Sequence, residues 1–206
     1  MAFAKWDGEP VTVIMADGTR MEGFTKTNLI NHMRGPKSEI GISEEFKGKE
    51  KKYTSTEISE LIFPPNENAS TPAIYRPVLA QKYMPNAFSK NPKTFKKPVF
   101  LKCVYDGENV KGYARACTDS SYTPSMTRVN YTWAYYYKVE GEDVAKYYWL
   151  DTKDLIFGMR KVLKFYFREF PELVQMIEDG TLDPNDFRDD PTIVLPMMDA
   201  ILGQRK

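Results

Sequence analysis

The chain has 206 residues, of which 42% are hydrophobic, 28% charged and 14% aromatic, and 29 Lys plus Arg stand against 28 Asp plus Glu for a net charge of +1. That length suffices for one domain or two small ones with a real core, and the balanced charge excludes a global positive field of the kind that holds nucleic acid, leaving only local ones. No apolar run reaches the ~18 residues that a membrane-spanning helix needs.

Val11 to Ala16 and Arg20 to Thr25 read as two strands joined by a tight turn at Asp17-Gly18, residues that accept positive φ. Asn31 to Gly41 reads as a loop with Gly35-Pro36 as its breaker. Glu39 to Ser43, Lys51 to Thr54 and Ser59 to Phe63 follow as short strands, the last two joined by a turn at Thr56-Glu57. This spacing predicts a small, strongly bent β-barrel over residues 1–65. Residues 66–98 read as a proline-rich connecting segment, with Pro77 and Pro85 interrupting its apolar stretch.

Val99 to Tyr105, Val110 to Cys117, Val129 to Val139 and Val144 to Leu150 predict an up-and-down antiparallel meander over 99–150, with Thr118 to Met126 as a long turn. Residues 151–206 read as helical. Asp151 or Thr152 caps a first helix, on which Leu155, Met159, Val162, Leu163, Tyr166 and Phe170 form one stripe over about 17 residues. Pro171 opens a second helix and Gly180 stops it. Asp183-Pro184 and Asp190-Pro191 each read as a cap followed by proline. In the last segment, Thr192 to Leu202, Pro196 is expected to cost a hydrogen bond or to kink the helix. The fold class is therefore α+β: a small barrel, a meander and C-terminal helices.

Tyr131, Trp133, Tyr135, Tyr137 and Val139 alternate along one strand and so share a face, with Ala134 and Tyr136 on the other. Open to water, such a face stacks sugars or bases; the amphipathic helix, however, needs a large apolar partner, so this face is expected to be core. The acidic residues from Glu172 to Asp190 lack the alternating oxygens and closing Glu of a calcium loop. His32 is the single histidine, in a polar loop, so neither a catalytic relay nor a zinc set is built on it. Pairing Tyr105 with Val110 across the Asp106–Asn109 turn puts Cys103 opposite Gly112 and the two thiols on opposite faces, so Cys103 and Cys117 are expected as thiols, not a disulfide. There is no Gly-rich phosphate loop, and no cofactor or metal site is predicted. Asn68-Ala-Ser70 and Asn130-Tyr-Thr132 are glycosylation sequons that matter only in a eukaryotic secretory pathway.

The run from Val11 through Asp17-Gly18 to Phe24 resembles the opening hairpin of Sm-like and other SH3-like small barrels, and Tyr53 to Phe63 is similar to their closing strands. The resemblance implies a barrel and, for Sm-like proteins, rings that bind RNA. The order of hairpins, the meander of Phe100–Tyr105 and Val110–Ala116, the Tyr-rich strands and Phe167-Arg-Glu-Phe-Pro-Glu-Leu173 resembles β-rich proteins of unknown function in Bacteroidetes, many of them exported. That likeness implies the periplasm or cell envelope, and brings no active residues. Met1 to Gly8 lack the basic start and apolar run of a signal peptide, which implies the cytoplasm if Met1 is the native start and the envelope if a leader was removed.

The leading functional expectation is a noncatalytic β-scaffold or interaction protein, its partner another protein, a glycan or a second copy of itself. Tyr75 and Tyr83 are its candidate exposed aromatics. The alternatives are RNA binding through the N-terminal barrel, with Arg20, Lys26, Arg34 and the Lys47–Lys52 cluster sharing one face, and an enzyme acting on an envelope polymer, which needs two nearby acids in a deep cleft.

Overall fold

Alternating burial organises the first strands. In the computed structural model, which describes residues 8–27, 29, 36–67, 69–82, 92–123, 126–150 and 158–206, with the side chains of 118–131 left aside, Val11 and Val13 are buried along Glu9–Met15 (β1) while Thr12 and Ile14 are half-buried. β1 pairs antiparallel with Arg20–Thr25 (β2), Val13 opposite Met21. The Asp17 carboxylate fixes the intervening turn by accepting the Thr19 amide at 2.8 Å. Glu39–Ile42 (β3) and Lys51–Thr54 (β4) form a separate two-stranded sheet, and Ile58–Phe63 (β5) returns to pair with the other side of β1. β3 crosses close to β2. Phe24 and Ser43 exchange two backbone hydrogen bonds of 2.7 and 2.8 Å, and a Cβ on Gly23 would lie only 2.7 Å from the Ser43 carbonyl oxygen.

The stretch expected to connect the two halves contains a strand. Ala73–Ala80 (β6) pairs with β5 through Ala73, Ile74 and Tyr75, then with Val144–Leu150 (β10) through Leu79 and Ala80, so Pro77 falls between the two partners on that edge. On its other edge β6 pairs with Val99–Asp106 (β7), Pro77 opposite Phe100. The Phe100 amide donates away from β6, to the Lys37 carbonyl. Pro77 therefore faces a position where no ladder donor is needed, which is where a strand tolerates proline.

The meander follows as expected, β7 to Val110–Thr123 (β8) to Met126–Val139 (β9) to β10, but its central turn does not. Residues 118–126 belong to a hairpin whose ladder runs from Val110 opposite Val139 to Thr123 opposite Met126. The eight-stranded sheet has the order β10-β9-β8-β7-β6-β5-β1-β2, and the parallel β10–β6 pairing joins β6 through β10 into a closed ring of hydrogen-bonded strands. A bulge at Val104 sets Cys103 opposite Tyr113 and Tyr105 opposite Gly112. The extra residue reverses the expected facing: both cysteines now belong to the cluster inside the ring, and neither is in a disulfide.

The helices are Met159–Tyr166 (α1), Pro171–Asp179 (α2), Pro184–Asp189 (α3) and Val194–Gln204 (α4). The expected first helix ends before Phe170, because a residue preceding proline is disfavoured in helical conformation, and Phe170 is extended at φ −121°. Its expected caps, Asp151 and Thr152, and Leu155 lie outside the described residues. Asp183 and Asp186 form a reciprocal capping box at α3. Pro196 stands in the first turn of α4, where its absent amide would have had no helical partner, so the expected kink does not arise.

Three cores result. Val11, Val13, Leu61, Tyr75 and Phe100 cluster in the N-terminal part. Val78, Leu101, Tyr113, Ala134, Tyr136 and Tyr147 fill the ring. Outside the ring, Tyr137 and Tyr148 pack against Phe167, Phe170 and Leu163 of the helical layer, with ring centroids 5.6–6.1 Å apart among the aromatics. Of the Tyr131–Val139 face expected to be core, Tyr135, Tyr137 and Val139 lie between sheet and helices; Trp133 is half-buried outside that cluster with Lys102 5.9 Å from its ring, and the Tyr131 side chain lies outside the described residues.

Candidate functional site

The β3–β4 connection carries the most conspicuous surface feature. Phe46, 54% exposed, is the one large hydrophobic side chain left open to water among the described residues. Local bonding explains its position. Ser43 Oγ donates to the Glu45 carbonyl at 2.7 Å and accepts the Glu45 amide, and the Gly48 amide bonds back to the same carbonyl. Lys47 takes a left-handed conformation, φ +63°, to close this turn. A non-glycine residue there costs about 1 kcal/mol or more. The turn pushes Phe46 outward, where the edge of Phe24, 5.4 Å away between centroids, supports it.

Next to this turn lies a shallow groove of about 260 Å³ lined by Met21, Ile42, Tyr53, Glu45, Lys49 and Lys51 among others; Phe46 itself does not line it. Lys47 sits over the Phe46 ring at 5.3 Å and Lys51 over the Tyr53 ring at 4.9 Å. The basic cluster Lys47–Lys52 is preceded by Glu44 and Glu45 and interrupted by Glu50, which accepts the Lys26 amide at 2.7 Å. The field over the groove is therefore mixed in sign. The groove lining is more polar than apolar, so the exposed Phe46 ring beside charges of both signs is the interface-like feature of this surface.

The residues expected from sequence are dispersed. Tyr75, expected as exposed, is 4% exposed and packs edge-on to Phe63 at 5.5 Å; burial pushes its phenol up to about 12. The inference from Pro77 to an open segment fails because Tyr75 faces the core two residues before the proline. Arg20 is exposed and bridges Glu22 at 2.9 Å, and Lys26 is exposed beside Glu50. Tyr83, Arg34 and His32 lie outside the described residues. Phe46 was readable as a lone aromatic in a run of Ser, Glu, Lys and Gly, a signal that strand-based reading passes over.

A second constellation closes one end of the ring. Arg76 bridges Glu60 and Asp106, each at 2.8 Å, and Lys111 bridges Asp106 at 2.8 Å. The hydrogen bonds from Arg76 and Lys111 hold the Asp106 carboxyl far below the usual range. This network neutralises itself and fastens β5, β6, β7 and β8 together. Among the described residues no group of three or more His, Cys, Asp or Glu is placed to hold a metal ion, and no helix is long and apolar enough to cross a membrane. Compared with known proteins, the chain matches no family model, no curated protein and no solved structure.

Proposed function

We propose that this chain is a noncatalytic β-scaffold that binds another protein through the β3–β4 turn that exposes Phe46. The exposure of Phe46 carries the reading. Burying a ring of this size gains about 1.5–3 kcal/mol, and aromatic anchors in interface centres dominate binding energy. The fold also supports the small-barrel resemblance of the N-terminal strands: β5, β1 and β2 are neighbours, and β2 meets β3, then β4, through the Phe24–Ser43 bridge. RNA binding fits the same surface less well. Stacking needs free ring faces and a positive field, whereas lysines lie over both rings and glutamates interrupt the basic run.

The test is site-directed photocrosslinking with a benzophenone side chain at position 46, in host extract, followed by titration of the purified partner. One protein partner is expected, with affinity reduced about tenfold or more by Phe46→Ala. Thermal stability should change by less than about 0.5 kcal/mol, since the ring is already solvated. Salt-steep RNA binding that ignores Phe46→Ala would replace this reading with the nucleic-acid one. Sedimentation across a concentration series identifies the case in which the partner is a second copy.

A further inference from the structure

β2 is the terminal strand of the eight-stranded sheet, with β1 along one side. Its other side is covered only in part, where Phe24 exchanges backbone hydrogen bonds with Ser43. The phase of the strand is fixed at both ends. The Thr19 carbonyl accepts the Met15 amide of β1, so Thr19, Met21 and Gly23 turn their backbone groups toward β1, and Arg20, Glu22 and Phe24 turn theirs away. Ser43 takes up those of Phe24, while those of Arg20 and Glu22 have no backbone partner among the described residues. The open window is therefore Arg20-Met21-Glu22, bounded by the Asp17-Gly18 turn and by Ser43. The Arg20 and Glu22 side chains are each 65% exposed and share the outer face, where they form an ion pair of 2.9 Å. Met21 lies on the opposite face, half-buried against the N-terminal core and on the wall of the groove.

We propose that a second copy of this chain covers this edge, the two β2 strands pairing antiparallel about a twofold axis at Met21. Unpaired backbone donors and acceptors along an edge are a template for another extended strand. A window this short fixes the register. Only centring on Met21 gives both open residues of both copies a partner, Arg20 opposite Glu22 of the second copy and Glu22 opposite its Arg20. Each such pair presents its outward groups and exchanges both backbone hydrogen bonds. Met21 then meets its own copy in the non-hydrogen-bonded pair, where side chains approach closest, and extends the N-terminal core across the axis. Sliding either way sets Arg20 against Arg20 or Glu22 against Glu22 and leaves the other open residue without a strand partner. Opposite charges directly across a ladder stabilise it and like charges oppose it. The order Arg20-Met21-Glu22 is thus complementary to itself when reversed, which is what an isologous contact requires. The same charges repel strands that bring like charge to the edge. The contact is small, so the dimer is weak. It does not use the Phe46 ring and stands or falls independently of that reading.

The test is sedimentation velocity of the full chain over a concentration series reaching about 1 mM, at low and at high salt, with the charges of the pair reversed singly and together. The parent is expected to show a reversible monomer–dimer equilibrium with a dissociation constant of about 1 mM or tighter, weakening as salt is raised. Arg20→Glu and Glu22→Arg each set like charges opposite across the axis, and each should weaken association about tenfold or more. An equimolar mixture of the two variants should form a heterodimer of near-parental affinity, since every pair is again Glu against Arg. The chain carrying both reversals should recover the homodimer. Both side chains are exposed, so the variants fold, which circular dichroism of each verifies. A parent that stays monomeric to about 1 mM overturns the proposal. So does association indifferent to salt or to either reversal, or single variants that stay apart when mixed. Phe46→Ala is the control for the other surface. Association lost in Phe46→Ala and kept in Arg20→Glu belongs to the Phe46 turn and overturns the β2 pairing, whereas a dimer that follows the charges at 20 and 22 supports it and leaves the Phe46 reading to its own test.

Discussion

Asp199 stands 90 residues along the chain from Asn109, yet its carboxylate accepts the Asn109 amide, the Val110 amide at 3.0 Å and the Tyr105 hydroxyl at 3.2 Å. The Asn109 side-chain amide returns a bond to the Asp199 carbonyl at 3.1 Å. One residue of α4 thus caps the β7–β8 turn. Burial pushes the Asp199 pKa up, and the backbone amides outweigh it, holding it below the ordinary value. A carboxylate depressed in this way contributes stability that is fully present above its unfolded pKa of about 3.9 and is lost as pH falls through the folded value. Asp199→Asn should therefore cost about 1–2 kcal/mol near neutral pH. The difference from the parent should shrink as pH drops below about 4. Urea denaturation of both proteins at neutral and acid pH measures this, and a gap that stays constant with pH would assign the loss to packing instead of charge.

The same contact between α4 and the meander governs the elements. Gly112 is where Leu195 of α4 meets β8: a Cβ there would sit 2.3 Å from Leu195 Cδ1 and 2.9 Å from Tyr105 Cβ. Leu195 is fully buried and has nowhere to retreat. Gly112→Ala should cost about 1–3 kcal/mol by overpacking, and Leu195→Ala in the same chain should recover part of the Gly112→Ala loss. A double-mutant cycle showing simple additivity would mean that helix and strand do not press on each other here. This docking could not be read in the sequence, although the parts that dock could. Gly112 reads only as a glycine in a strand, and Leu195 only as one apolar residue of a helical stripe. β2 and β4 were legible to the residue, because short β-rich runs between turn residues are local signals. β6 was not, since its tolerance of Pro77 depends on which neighbours border each edge. The far half of the β8–β9 hairpin was missed because Ser, Thr and Pro there show no apolar alternation, the signal on which a strand reading depends. The candidate site was legible as a charge run with one aromatic in it, but not as a site; the outward turn of Phe46 depends on Ser43, Lys47 and Gly48 acting together.

At the scale of the molecule, the three cores are built on shared strands. β6 and β7 give Tyr75 and Phe100 to the N-terminal cluster and Val78, Val99 and Leu101 to the ring. β9 gives Tyr136 to the ring and Tyr137 to the helical layer, and β10 does the same with Tyr147 and Tyr148. Disruption of one core strips packing from one face of strands whose other face or other end serves the next core, which weakens both. The composition divides the chain into a barrel, a connector, a meander and a helical tail; the shared strands predict that the described parts unfold as one cooperative unit. Leu61 lies fully buried on β5, remote in sequence from Trp149, which packs on Phe187 with centroids 5.4 Å apart in the helical layer. Leu61→Ala should cost about 2–5 kcal/mol. Its loss should lower the melting midpoint equally by far-UV circular dichroism, which reports all strands and helices, and by tryptophan fluorescence. Calorimetric and van't Hoff enthalpies should agree, the mark of an all-or-none transition. If Leu61→Ala instead splits the melt, with an early backbone transition and an unshifted tryptophan one, then β6 is a hinge between independent domains, and the continuity of the sheet carries no cooperativity across it.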